Sequence, residues 1–173
     1  MNDRPLLTRM IDPAALRPGP STVSVTTSAQ ERAAIAGDLG LLSLHALAAQ
    51  LTVSVGARGE VAIAGRLDAE LKQSCVVSLR PVAQTIVAGI SRRFVPAGSL
   101  AADRLPGVGA DGDDPPDEYG GAAIDVGAMV LEELILAIDP YPRAEGAELP
   151  ATLAHQFGPP ESPFSVLKTL GHS

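Results

Sequence analysis

The single thiol of the chain, Cys75, opens the stretch Cys75-Val-Val-Ser78, which would supply half of a zinc ribbon if its fourth position were a second cysteine. A tetrahedral site needs about four thiolate or imidazole ligands. Here one thiol stands alone and His45, His155 and His172 are scattered, so Cys75 is expected to be a buried structural thiol, with no metal and no internal disulfide. The adjacent carboxylates Glu132 and Glu133 invite general acid/base work, but consecutive helix residues point about 100° apart and do not form a dyad. One should reach the exposed face and the other should lie at the apolar boundary beside a basic partner. Asp111-Gly-Asp-Asp114 has the look of a calcium loop, yet Pro115-Pro116 interrupts the alternation and no acid closes it at the twelfth position. Gly107-Val-Gly109 lacks the strand, the later glycine and the helix start that a phosphate-cradling loop requires. Arg92 and Arg93, with Arg80 and Arg66, could make a small basic patch, but strand alternation puts Arg92 and Arg93 on opposite faces, where solvent and salt bridges are their ordinary partners. No nucleophile, histidine and orienting acid can be assembled. The expectation is a protein that is not an enzyme, with no cofactor and no small-molecule substrate. A small hydrolase built on Asp125 with Glu132 or Glu133 is the weakest alternative.

The elements that would carry these groups are read from periodicity and punctuation. Residues 5–11 form a short strand at an edge or apart from the rest, followed by turns at Asp12-Pro13 and Pro18-Gly-Pro20. Ser28-Ala-Gln-Glu31 is a capping box that starts a helix to about Ala36, ended by Gly37 and Gly40. Leu51, Val53 and Val55 alternate with Thr52 and Ser54 up to Gly56-Ala-Arg-Gly59, which reads as strand, turn, strand. From Val61 to Leu79 the odd positions are mostly apolar while Arg66, Asp68, Glu70 and Lys72 fall on even ones. Nineteen residues exceed an ordinary strand, so a bend or bulge near Gly65, or two strands sharing one register, is expected. Arg80-Pro81 turns the chain into another strand, closing at Pro96. Residues 97–121 are expected to be a flexible acidic loop. Ile124 to Ile138 reads as the longest helix, capped by Asp125, halted by Asp139-Pro140 and apolar along Val126, Val130, Leu134 and Ile138, so it should pack across the sheet. Residues 143–173 form a proline-broken tail in which Ser162 to Leu170 has the spacing of a small docking helix.

These elements imply an α+β fold: a twisted antiparallel sheet with one packed helix and short flanking helices, closure toward a barrel being left open. The chain has 173 residues, suited to a single domain over 1–173. Twenty acidic against thirteen basic residues give a formal charge of -7, which argues against general attraction to phosphate backbones or anionic membranes. Three Phe, two Tyr and no Trp leave no aromatic platform for stacking bases. No apolar run approaches a membrane span, and the start, Met1-Asn-Asp-Arg-Pro, has no signal-peptide pattern, so a cytoplasmic location is expected.

Taken together, several segments resemble the YceD family, the large ribosomal RNA subunit accumulation proteins, in the form typical of alphaproteobacteria. They are the strand Pro5 to Ile11, the helix Ala29-Gln-Glu-Arg-Ala, the block Gly65 to Pro81-Val around Cys75, and Ile124-Asp-Val-Gly through Ile138-Asp-Pro-Tyr-Pro-Arg143. Ser162-Pro-Phe-Ser-Val-Leu also fits. Ser78 stands where many members carry a second Cys. The resemblance implies a role in accumulation of large-subunit ribosomal RNA, hence in synthesis or assembly of that subunit. The motif does not imply a direct partner. An acidic domain suits a basic ribosomal protein or another assembly factor better than bare RNA, with direct structure-selective contact to ribosomal RNA as the alternative. Cys75, Arg92, Arg93, Asp125, Glu132, Glu133, Pro140, Pro142 and Arg143 are the family-motif or candidate partner-binding residues.

Overall fold

The computed structural model describes residues 5–16, 19–99, 115–120 and 123–148. Along the chain run β1 (Met10–Ile11), a 3-10 turn (Pro13–Ala15), β2 (Ser21–Thr26), α1 (Ala29–Asp38), β3 (Ser43–Val55), β4 (Val61–Ser74), β5 (Pro81–Pro96), β6 (Asp117–Tyr119), β7 (Ile124–Asp125) and α2 (Val126–Ala137). A five-stranded sheet has the order β2-β3-β4-β5-β6, and β1 pairs with β7 in a separate two-stranded ribbon. The class is α+β, and the sheet is open at β2 and β6 rather than closed into a barrel.

The long meander forms because β3, β4 and β5 each place apolar residues on one face at a period of two. Leu47, Leu51 and Val53 of β3, Val61, Ile63, Leu67 and Leu71 of β4, and Ile86 and Ile90 of β5 are all buried on that face. Ile35 from α1, and Val126, Met129, Val130 and Leu134 from α2, complete the core from the same side. The opposite face of the sheet carries Arg66, Asp68, Glu70 and Arg93 among alanines, serines and threonines and is exposed.

Four expectations change. Only Met10 and Ile11 of residues 5–11 pair as a strand, because β7 offers just Ile124 and Asp125 as partners. The first helix runs through Gly37 and ends before Gly40, whose φ of +65° takes the chain out of it. β4 keeps its register with both neighbours through Gly65, so there is no bulge there. The glycine instead answers to close approach of β3: a Cβ would lie against the Gln50 carbonyl and 2.9 Å from the Leu51 Cα. The irregularity lies in β3, between Leu44 and Ala46, and β4 stops at Ser74, short of Leu79.

The segment expected as an acidic loop contributes β6, which pairs with Phe94–Pro96 of β5 in parallel, so the sheet is mixed. A parallel neighbour requires a crossover rather than a hairpin, and the 20 residues between Pro96 and Asp117 supply its length. Most of that connection, the docking helix expected near 162–170, and His155 and His172 lie outside the described residues.

Candidate functional site

α2 starts at Val126, two residues later than the expected Ile124, because Ile124 and Asp125 pair as β7 and Asp125 caps the helix. Its Oδ1 accepts from the backbone N–H of Gly127 at 2.9 Å and of Ala128 at 3.1 Å. The same oxygen also accepts from the Arg9 N–H at 2.8 Å, while the Val126 N–H donates to the Arg9 carbonyl. Asp125 therefore ties the amino-terminal segment onto the first turn of α2. Gly127 lets the two backbones meet, since a Cβ there would sit 2.6 Å from the Arg9 nitrogen. With one oxygen taking three N–H bonds, Asp125 serves the fold.

On the other side of that segment, the Arg9 guanidinium grips Glu31 of α1, with Nη1 2.9 Å from Oε1 and Nη2 3.1 Å from Oε2. It also donates to the carbonyls of Thr8 and Thr26. Glu31 at the same time completes the capping box with Ser28. The Arg9 contact first, and then the Ser28 backbone and hydroxyl, hold the Glu31 carboxyl down at about 2. Sequence reading found the capping box but not this pair, whose members lie 22 positions apart.

Cys75 lies at a second junction. Its side chain is fully buried and its sulfur accepts backbone N–H groups from Val77 at 3.4 Å, Ser78 at 3.3 Å and Ala144 at 3.3 Å. The Ala144 N–H, then the Ser78 hydroxyl and N–H, lower the thiol to about 6 against the opposing effect of burial. The Val76 N–H donates to the Pro142 carbonyl at 2.9 Å, and the Gln73 side chain donates to the Asp139 carbonyl at 2.9 Å. The structure thus brings Cys75 together with the Pro140-Tyr-Pro142-Arg143 segment, and the pair forms a structural lock. Leu79, with φ of +58°, closes the turn. Among the described residues no three His, Cys, Asp or Glu side chains converge as a metal site.

The third station is open. Arg92 of β5, 32% exposed, has Nη2 3.3 Å from Glu132 Oε2 and Nη1 3.7 Å from Asp117 Oδ2. These three, with Glu118, Tyr119 and Asp125, line a cleft of about 520 Å³ between the end of β5 and α2. The Tyr119 hydroxyl donates to the Gly59 carbonyl at 2.8 Å and so bolts β6 to the turn between β3 and β4. Among the described residues four carboxylates and one guanidinium line the cleft, so it is electronegative and suited to an ammonium or guanidinium group.

The nine candidate residues therefore divide. Arg92, Asp125 and Glu132 meet at the cleft, and Cys75 meets the segment Pro140 to Arg143. Arg93 points to the opposite sheet face, and the half-buried Glu133 pairs with no cation among the described residues. The expectation for the two glutamates is reversed: Glu132, 65% exposed on its side chain, is the one that finds the arginine. Asp117 and Glu118 were missed as site residues because they sit in a segment that reads as loop.

Residues 63–170 match the family model described as "Large ribosomal RNA subunit accumulation protein YceD". The matched stretch takes in β4, β5, β6, β7 and α2, and so both Cys75 and the cleft. No curated protein and no solved structure matches the chain.

Proposed function

Since the chain belongs to the YceD family of large ribosomal RNA subunit accumulation proteins, we propose that it supports large-subunit ribosomal RNA accumulation in the cytoplasm as a non-enzymatic factor, by binding a basic ribosomal protein or assembly factor. The observation that carries this reading is the cleft that Asp117, Glu118, Asp125 and Glu132 line together with Arg92, on a chain of net charge -7. Such a surface attracts cationic side chains and repels a bare phosphate backbone. Arg92, the one cation lining the cleft among the described residues, already serves Asp117 and Glu132. Asp125 is engaged in capping and Cys75 in the buried lock. No helix among the described residues is long and apolar enough to cross a membrane.

Direct recognition of ribosomal RNA through Arg92 and Arg93 has less support, because the two guanidiniums stand on opposite faces of β5. The test is co-sedimentation of the tagged protein with ribosomal particles across a salt series, alongside the ratio of large- to small-subunit ribosomal RNA after depletion. Salt-sensitive association with large-subunit precursors and a selective fall in their RNA are expected. An unchanged ratio together with no association at any salt would sink the reading. Retention abolished by ribonuclease treatment but insensitive to Glu132→Lys would shift it to RNA.

A further inference from the structure

β4 covers β5 along residues 81–94, but among the described residues the far side of β5 is covered only at Phe94–Pro96, by the three residues of β6. Over residues 81–92 the outward N–H and C=O groups of alternate residues therefore take no partner among the described residues. Among the described residues that leaves an open edge of about 40 Å. The stretch Pro81-Val-Ala-Gln-Thr-Ile-Val-Ala-Gly-Ile-Ser91 contains no charge, no interior proline and no bulge, the usual devices that stop an edge from pairing. Val87, at its middle, is 59% exposed. β2, the opposite edge, spans only six residues.

The surroundings of the β5 edge select its occupant. Asp117 and Glu118 extend it at one end, and α2, which packs on β5, adds Glu132 beside exposed Ile135 and Leu136, with Asp139 just past its end, where its N–H donates to the Gln84 side chain. We propose that this edge binds an extended Lys- and Arg-rich segment of a partner protein by strand addition, main-chain bonds holding the segment and the acidic rim selecting its charge. This rests on the reading above that the partner is a basic protein. A second copy of the chain fits less well, because each copy carries the same formal charge of -7.

The test is amide hydrogen exchange of the full chain with a synthetic ten-residue peptide of alternating Lys and Val, and with its Glu-Val counterpart as control. Binding of the basic peptide is expected to slow exchange about tenfold or more at alternate residues within 82–92, with no effect from the acidic one. The exposed substitution Val87→Lys should weaken the basic peptide severalfold while leaving the fold intact. Binding without protection of β5 amides, or no binding, would overturn the proposal. So would protection that depends on protein concentration without peptide, which would assign the edge to a second copy. Co-sedimentation with large-subunit precursors separates the two ideas: if it persists while β5 amides stay unprotected in the complex, the edge proposal falls alone. If β5 takes the peptide but no ribosomal association exists at any salt, the assembly role falls alone.

Discussion

Arg9 and Arg92 are both arginines set between acidic groups, yet they are held very differently. Arg9 engages both oxygens of Glu31 at 2.9 and 3.1 Å and two backbone carbonyls besides. Arg92 touches one oxygen of Glu132 at 3.3 Å and approaches Asp117 only to 3.7 Å, in a cleft with carboxylates to spare. A planar guanidinium that fills its donor fork is spent on the fold. One with long single contacts in a wet cleft leaves its neighbours free to exchange partners. The amino-terminal clamp is thus architecture, and the Arg92 cleft is surface available to a partner.

This contrast breaks most sharply at Asp125, which touches both regions. Asp125→Ala removes the cap and strands the Arg9 N–H, so a loss of about 2–4 kcal/mol is expected, measured by urea unfolding. A loss below about 0.5 kcal/mol would mean the clamp is not structural. Gly127→Ala forces a Cβ against the Arg9 backbone and should cost about 1–3 kcal/mol. Glu31→Gln should cost about 1 kcal/mol, most of the ion pair being screened by solvent. It should also change the acid response. The Glu31 carboxyl is depressed from its ordinary 4.5 to about 2 in the folded chain, so its contribution is complete above 4.5 and is lost as pH falls toward 2. Acid titrations of the wild type and Glu31→Gln should therefore converge near pH 2. Cys75 has the same sign at higher pH: its stabilisation is complete above about 9 and is lost as pH falls through about 6. A Cys75→Ala chain should lack the rise in melting temperature between those values. At the cleft the order reverses, with small effects on stability and larger ones on binding. Asp117→Asn with Glu132→Gln should change stability by less than about 0.5 kcal/mol while weakening a basic partner about tenfold at low salt. Glu133→Ala should alter neither, as titration calorimetry with the same partner would show.

Legibility in the sequence follows the same division. α2 was readable because Asp125, the i, i+4 apolar residues and Asp139-Pro140 mark its start, face and end locally. The burial of Cys75 was readable from its odd position in the alternation after Val61. The first half of β3 was not, since Ala46, Ala48 and Ala49 blur apolar and polar positions that only the pairing with β4 resolves. Gly65 looked like a bulge because a glycine in a strand signals either a bend or a close neighbour, and the neighbour was 14 residues away at Leu51. Arg9 with Glu31, and Arg92 with Asp117, depend on contacts between elements that no local pattern records.

The triple use of one Asp125 oxygen also sets an order in time. The segment around Arg9 has its anchor 116 residues further along the chain. At roughly 5–20 residues per second, about 6–23 s of synthesis separate the two. Until then the segment has Glu31 of α1 and the Thr26 carbonyl of β2 to hold, so the antiparallel meander β2 to β5 is laid down first and the ribbon of β1 and β7 closes last.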